Sequence, residues 1–144
     1  MIYTAQTKSA LRLCFNAHKC QTDKAGLPYV FHPFHLAEQM DTEDEVCVAL
    51  LHDVMEDTSF TSDDIRAAGM PEHVIEALLL MKHDPKDDYL DYVEKLSKNP
   101  LARKVKRADL QHNSDLTRLD EVTDKDRARV AKYAQALELL DAID

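Results

Sequence analysis

The chain is 144 residues long, the size of one domain, and at 44% hydrophobic and 31% charged it is neither a disordered tail nor a membrane span. Two glycines, where average usage would give about ten, exclude a Walker loop, a dinucleotide fingerprint and a sheet rich in glycine turns. A formal charge of −9, from 18 basic against 27 acidic residues, excludes non-specific binding to nucleic acid, which feeds on counterion release by Lys and Arg.

An all-helical single domain of about eight helices is therefore expected over residues 1–144. The segment Thr7–Cys20 places Ala10, Leu11, Leu13, Cys14, Ala17 and His18 at helical spacing and predicts the first helix. Asp23–Phe31, with a Gly, a Pro and little periodicity, reads as a loop. Pro33 is expected at the first position of a short second helix, His35–Met40. Thr42 followed by Glu45 is a capping-box signature for a third helix running to about Glu56. Thr61 and Asp64 open a fourth that stops at Gly69, and Pro71 opens a fifth reaching about Lys82. Asp88–Lys98 fits a sixth, with Tyr89, Leu90, Tyr92, Val93 and Leu96 as its buried stripe. Pro100 opens a seventh that extends through Asp109 to about Asp115, and Asp124–Ile143 is the last. The longest apolar runs, Val46–Leu51 and Ala77–Met81, are far too short to cross a bilayer, and the N-terminus lacks a signal-peptide pattern. Three cysteines without a C-x-x-C pair fit a reduced, cytoplasmic chain.

The third helix ends in LLHDVMEDT. As one continuous helix it stacks His52 on Glu56 and Asp53 on Asp57, four residues apart. Three carboxylates then crowd the carboxyl end of a helix whose middle is apolar all round, where the macrodipole already disfavours negative charge. Such a conflict marks a functional site, and a bound cation resolves it. The plain alternative is a solvated terminus with a hydrogen-bonded core histidine; the six apolar residues before His52 weigh against it. Further ligands come from His32 in PYVFHPF and Asp109 in VKRADLQHNSDL. Imidazole with carboxylate suits Mn²⁺, Fe²⁺ or Zn²⁺.

His32, His52–Asp53 and Asp109 resemble the H…HD…D signature of the HD-domain phosphohydrolases. KAGLPYVFHP, LLHDVMEDT and VKRADLQHN resemble, more narrowly, the hydrolase domain of RelA/SpoT-type alarmone enzymes and the single-domain small alarmone hydrolases. The resemblance runs from about Ala17 to the last helix. It implies a helical bundle holding one divalent ion, Mn²⁺ above Fe²⁺, Zn²⁺ or Mg²⁺, through His32, His52, Asp53 and Asp109. It also implies hydrolysis of the 3′-pyrophosphate of (p)ppGpp. Glu56 and Asp57 match the acidic pair that handles the attacking water. Lys24, Asn113, Arg129 and Tyr133 match substrate contacts. The implied partner is a small nucleotide, with neither nucleic acid nor membrane; no motif speaks to oligomeric state.

Two positions depart from that pattern: Asp23 and Asp115 stand where the family usually carries arginine, so each reverses local charge by two units. Phosphate is best recognised by bidentate Arg, so affinity for (p)ppGpp is expected to be weaker than in a family member with arginines. Lys8, Arg12 and Lys19, or Arg103, Lys104, Lys106 and Arg107, are the cations available to compensate, although a solvated helix face is the commoner use of such residues. His18, His35 and His112 lie near the ligands in sequence, whereas His73 and His83 carry no motif and are expected to be exposed. The cysteines of the first helix read as small buried hydrophobes. Against the alarmone reading stand hydrolysis of another nucleotide, a mono- or triphosphate, and a non-catalytic nucleotide sensor. The acidic pair argues against the sensor.

Overall fold

A computed structural model describes residues 1–143, and among them the regular elements are helical, apart from an isolated bridge between Thr22 and Pro28. In order they are α1 (Ala5–His18), α2 (Phe31–Glu38), α3 (Glu43–Leu51), α4 (Val54–Asp57), α5 (Ser62–Ala67), α6 (Glu72–Leu80), α7 (Tyr89–Leu96), α8 (Pro100–Asn113), a 3₁₀ turn (Leu116–Arg118) and α9 (Asp124–Asp141). Capping boxes at Thr4, Thr42, Thr61 and Thr123 start α1, α3, α5 and α9. In each, the threonine hydroxyl satisfies an orphan N–H and the side chain three residues on reaches back to the threonine N–H. Gly69, at φ 96°, ends α5: its N–H bonds to Arg66 and that of Met70 to Ile65, a left-handed cap that favours glycine.

Three boundaries differ from expectation. The third helix does not run to Glu56. It ends at Leu51, and Asp53 adopts φ −107°, ψ 0°, so the LLHDVMEDT segment is split between α3 and the single turn α4. That break gives nine α-helices among the described residues, where about eight are expected. Pro33 is the third residue of α2, which begins at Phe31, inside the segment read as loop. It is tolerated because the first-turn N–H groups have no partner within the helix. Pro71 is extended and caps α6 through its carbonyl, which accepts from Val74 and Ile75. Pro100 does stand at the start of α8.

The centre of the bundle is α3, where Val46 through Leu51 are fully buried. α1, α2, α6 and α8 pack around it, and α9 lies across α7 and α8. A helix apolar all round must be enclosed in this way, and its carboxyl end then delivers His52 to the interior. No described helix is long and apolar enough to cross a membrane.

Candidate metal centre and active site

Three helices bring the ligands together. His32 comes from the first turn of α2, His52 caps the end of α3, and Asp109 projects from the middle of α8. All three are buried, and one ligand atom from each lies within 4.8 Å of the others. His32 Nε2 is 2.9 Å from Asp109 Oδ1, and His52 Nε2 is 3.6 Å from the same oxygen. Asp53 reaches the group through His52, with Oδ2 at 3.0 Å from Nε2, and also accepts a hydrogen bond from the Tyr29 hydroxyl.

His52 tests whether a cation fits. Its Nδ1 donates to the Ala49 carbonyl at 2.7 Å, which leaves Nε2 as the lone-pair nitrogen of the neutral ring. That buried Nε2 has no hydrogen-bond partner, although two carboxylates face it. A lone pair among carboxylate oxygens requires a positive charge between them, and only a proton or a metal ion supplies one. Burial disfavours a charged imidazole, but Asp53 and Asp109 outweigh it and push the His52 pKa well up. The residues present fit a divalent ion held by imidazole and carboxylate.

A second ring of side chains fixes the ligands. Asn113, one turn along α8, donates to Asp109 Oδ1 at 2.9 Å, and Lys106, one turn back, places Nζ 3.0 Å from Oδ2. Burial alone would raise the Asp109 pKa; Lys106, His32 and His52 instead hold it well below the usual carboxylate range. The rings of His32 and His112 stack 5.0 Å apart with their Nδ1 atoms at 2.7 Å. Desolvation and the nearby Arg118 push His112 down to about 4, so it is neutral and can accept from His32 Nδ1–H.

Two cavities meet over this cluster. One, of about 410 Å³, is bordered by Asp23, Lys24, Asn113, Arg118, Arg129 and Tyr133. The other, of about 490 Å³, adjoins it through Lys24, Tyr29, Asp57, Asn113 and Tyr133, and is also walled by Glu56, His83, Tyr89, Tyr92, Lys106 and Lys132. Asp57 borders both, whereas Glu56 borders only the second. Desolvation, then neighbouring carboxylates, raise both acids above their ordinary pKa. The ten residues singled out in the sequence all line one or both of these cavities.

The two unexpected aspartates have structural partners. Asp23 Oδ1 accepts from the N–H groups of Ala25 and Leu27, organising the turn that contains Gly26, and Oδ2 pairs with Arg118 at 3.2 Å. Asp115 caps the 3₁₀ turn by accepting from Thr117. The guanidinium missing from the loop is thus supplied by Arg118. Several site groups were not recognised in the sequence. No motif marks Tyr29, whose hydroxyl donates to Asp53. Lys106 reads in the sequence as one of several solvated cations, but it is buried on the Asp109 face of α8. His83 is half-buried at the second cavity, where its N–H donates to Glu56 at 2.8 Å. Cys20 is exposed, while Cys14 and Cys47 are buried.

A buried His-His-Asp cluster at the junction of α2, α3 and α8 of an all-helical fold could hold a metal ion. No family model matches the sequence. The fold is that of a solved structure of a metazoan ortholog of SpoT, a protein that hydrolyzes ppGpp and plays a role in starvation responses. The two are 23% identical, with a TM-score of 0.79 over 97% of this chain and 88% of that one.

Proposed function

We propose that this protein is a metal-dependent phosphohydrolase that removes the 3′-pyrophosphate of (p)ppGpp in the cytoplasm. The observation that carries the reading is the orphaned His52 Nε2, facing two carboxylates beside the Glu56–Asp57 pair. The shared fold with a ppGpp-hydrolysing protein supports it.

His32, His52, Asp53 and Asp109 would hold the ion, with manganese the first candidate. When bound, the ion supplies Lewis acidity to a phosphate oxygen and to the attacking water. Hydrolysis adds the water oxygen to phosphorus and breaks the bond from phosphorus to the ribose 3′ oxygen. One carboxylate of the Glu56–Asp57 pair takes a proton from the water, and the other returns one to the ribose oxygen. Their raised pKa values suit groups that must both gain and lose protons. Lys24, Asn113, Arg129 and Tyr133 hold the nucleotide in the first cavity.

A second reading, hydrolysis of a less anionic nucleotide, is favoured by the pairing of Arg118 with Asp23 and of Arg129 with Asp126 at 3.0 Å. Both guanidiniums are already balanced by carboxylates. One assay separates the readings: phosphate and pyrophosphate release from a nucleotide panel with Mn²⁺ and then with chelator. Pyrophosphate from (p)ppGpp, abolished by chelation, is the expected result. Turnover of mono- or triphosphates alone selects the second reading, and no turnover of any nucleotide selects a sensor.

A further inference from the structure

The single turn α4 carries both acids of the Glu56–Asp57 pair, and a helix of one turn does not hold itself together in water. The Asp57 N–H donates to the Asp53 carbonyl at 3.0 Å and that of Thr58 to the Val54 carbonyl at 3.1 Å. Beyond this, the two acids are anchored in different ways. Glu56 is gripped through its own carboxylate, which accepts the His83 N–H at 2.8 Å. The Asp57 carboxylate accepts no hydrogen bond among the described residues, so the backbone that carries it sets its place. That backbone is held from outside. The Asp57 carbonyl, one of the terminal acceptors that a helix cannot satisfy by itself, accepts from Gln21 Nε2 at 3.1 Å.

Gln21 joins three parts of the site. Its N–H donates to the His18 carbonyl at 2.9 Å, and its carbonyl accepts from the Tyr29 N–H at 2.9 Å. Its side-chain oxygen lies 2.8 Å from His18 Nδ1. Because the amide nitrogen is turned to Asp57, that oxygen accepts and His18 donates from Nδ1. Burial lowers the His18 pKa, so the ring is neutral and keeps its lone pair on Nε2. That nitrogen is buried without a hydrogen-bond partner, which leaves Gln21 to orient the ring. The ring packs 4.9 Å from that of Tyr29, whose hydroxyl donates to Asp53. The isolated bridge from Thr22 to Pro28 closes the loop behind Gln21 and gives it a fixed base. One residue thus ties together the end of α1, the loop bearing Tyr29 and the turn bearing Asp57.

We propose that Gln21 is a positioning residue: oriented against His18, its amide fixes where Asp57 stands relative to the His32–His52–Asp109 cluster. The inference rests on the phosphohydrolase reading for what Asp57 does, and on the hydrogen bonds alone for what holds it. Gln21 also borders the first cavity, so a direct contact with substrate is the competing role. The two roles separate in kinetics. A contact acts on binding, whereas an anchor acts on the chemical step, because a misplacement of about 1 Å costs up to about a hundredfold in rate.

Hydrogen exchange of the manganese-loaded protein, read by mass spectrometry, tests the anchor, and steady-state kinetics tests its consequence. Gln21→Met keeps the side-chain length and both backbone bonds but deletes the amide. The peptide carrying α4 should exchange about three- to tenfold faster, the worth of one hydrogen bond, while that carrying α3 is unchanged. For (p)ppGpp, kcat should fall about tenfold or more with KM within about twofold. Gln21→Glu keeps the acceptor for His18 and loses the donor to Asp57, so it should loosen α4 as much as Gln21→Met does. Wild-type exchange of α4 in either variant overturns the proposal, as does a raised KM at unchanged kcat, the mark of a substrate contact. Equal acceleration of α3 and α4 overturns it too, because the loss is then one of general stability. Wild-type turnover of (p)ppGpp is measured separately. Turnover with α4 exchange indifferent to Gln21 refutes the anchor alone. Gln21-dependent exchange without turnover refutes the hydrolase reading and upholds the anchor.

Discussion

Replacing Lys106 with methionine keeps the aliphatic stem between Tyr89 and Tyr92 and deletes one charge. The lysine Nζ lies 3.0 Å from Asp109 Oδ2, and the two side chains are only 11% and 7% exposed. At an effective dielectric near 20, that separation corresponds to about 5 kcal/mol of attraction. Asp109 would keep its contacts with His32 and Asn113, each at 2.9 Å, so part of the charge remains solvated by the protein. The expected loss of stability without metal is about 3–5 kcal/mol, the range for removing one partner of a buried pair. A divalent ion held by Asp109 supplies positive charge of its own, so in loaded protein the loss should fall to about half that value. Urea denaturation of both proteins, in chelator and in saturating Mn²⁺, gives the two differences. Equal losses in the two conditions, or a loss below about 1 kcal/mol in chelator, would refute the charge-compensation argument.

His32→Ala, His52→Ala, Asp53→Ala and Asp109→Ala should each lose most of the bound metal; elemental analysis showing full occupancy in any one removes that residue from the ligand set. Glu56→Gln and Asp57→Asn should retain metal while turnover falls about 10²–10⁴-fold. Because both acids titrate above their ordinary range, a base drawn from the pair is protonated at higher pH than a free carboxylate. The acid limb of the wild-type pH–rate profile should lie correspondingly above about pH 4 and disappear in the variant that lacks the base. Asp23→Arg should raise KM, because it removes both turn-organising acceptors and sets a second cation against Arg118. A lower KM for (p)ppGpp would show that the pocket wants charge more than it needs the turn.

The placement of the candidate ligands is legible in the sequence because local words constrain it. A run of six apolar residues forces α3 inside, so His52 at its end must be internal, and Asp109 and Asn113 share a face of α8 at one-turn spacing. The break at Asp53 was not legible, since LLHDVMEDT has no Gly or Pro to announce it. The break aims the Asp53 carboxylate at His52 and Tyr29, groups that no local propensity registers. Lys106 was hidden for a similar reason. Among Arg103, Lys104 and Arg107 it reads as solvated, and the rings that cover it belong to α7. Its spacing of three from Asp109 was the available clue, as was the same spacing for His112. The pairing of Asp23 with Arg118 spans 95 residues and is invisible to any local pattern.

His32 and Asp109, which meet at 2.9 Å, are 77 positions apart along the chain. No contiguous fragment shorter than that interval can assemble the cluster, so metal uptake would report on the finished topology rather than on any one helix. During synthesis the first two histidines emerge well before α8, and an ion would have no complete seat until the chain beyond Asp109 has docked. Once seated, it would tie α2 to α8 across a long loop, where a cross-link removes much of the entropy of the unfolded chain. Proteolytic nicking between α4 and α7 should therefore be tolerated by the loaded protein, whose halves remain clasped, and should scatter the empty one.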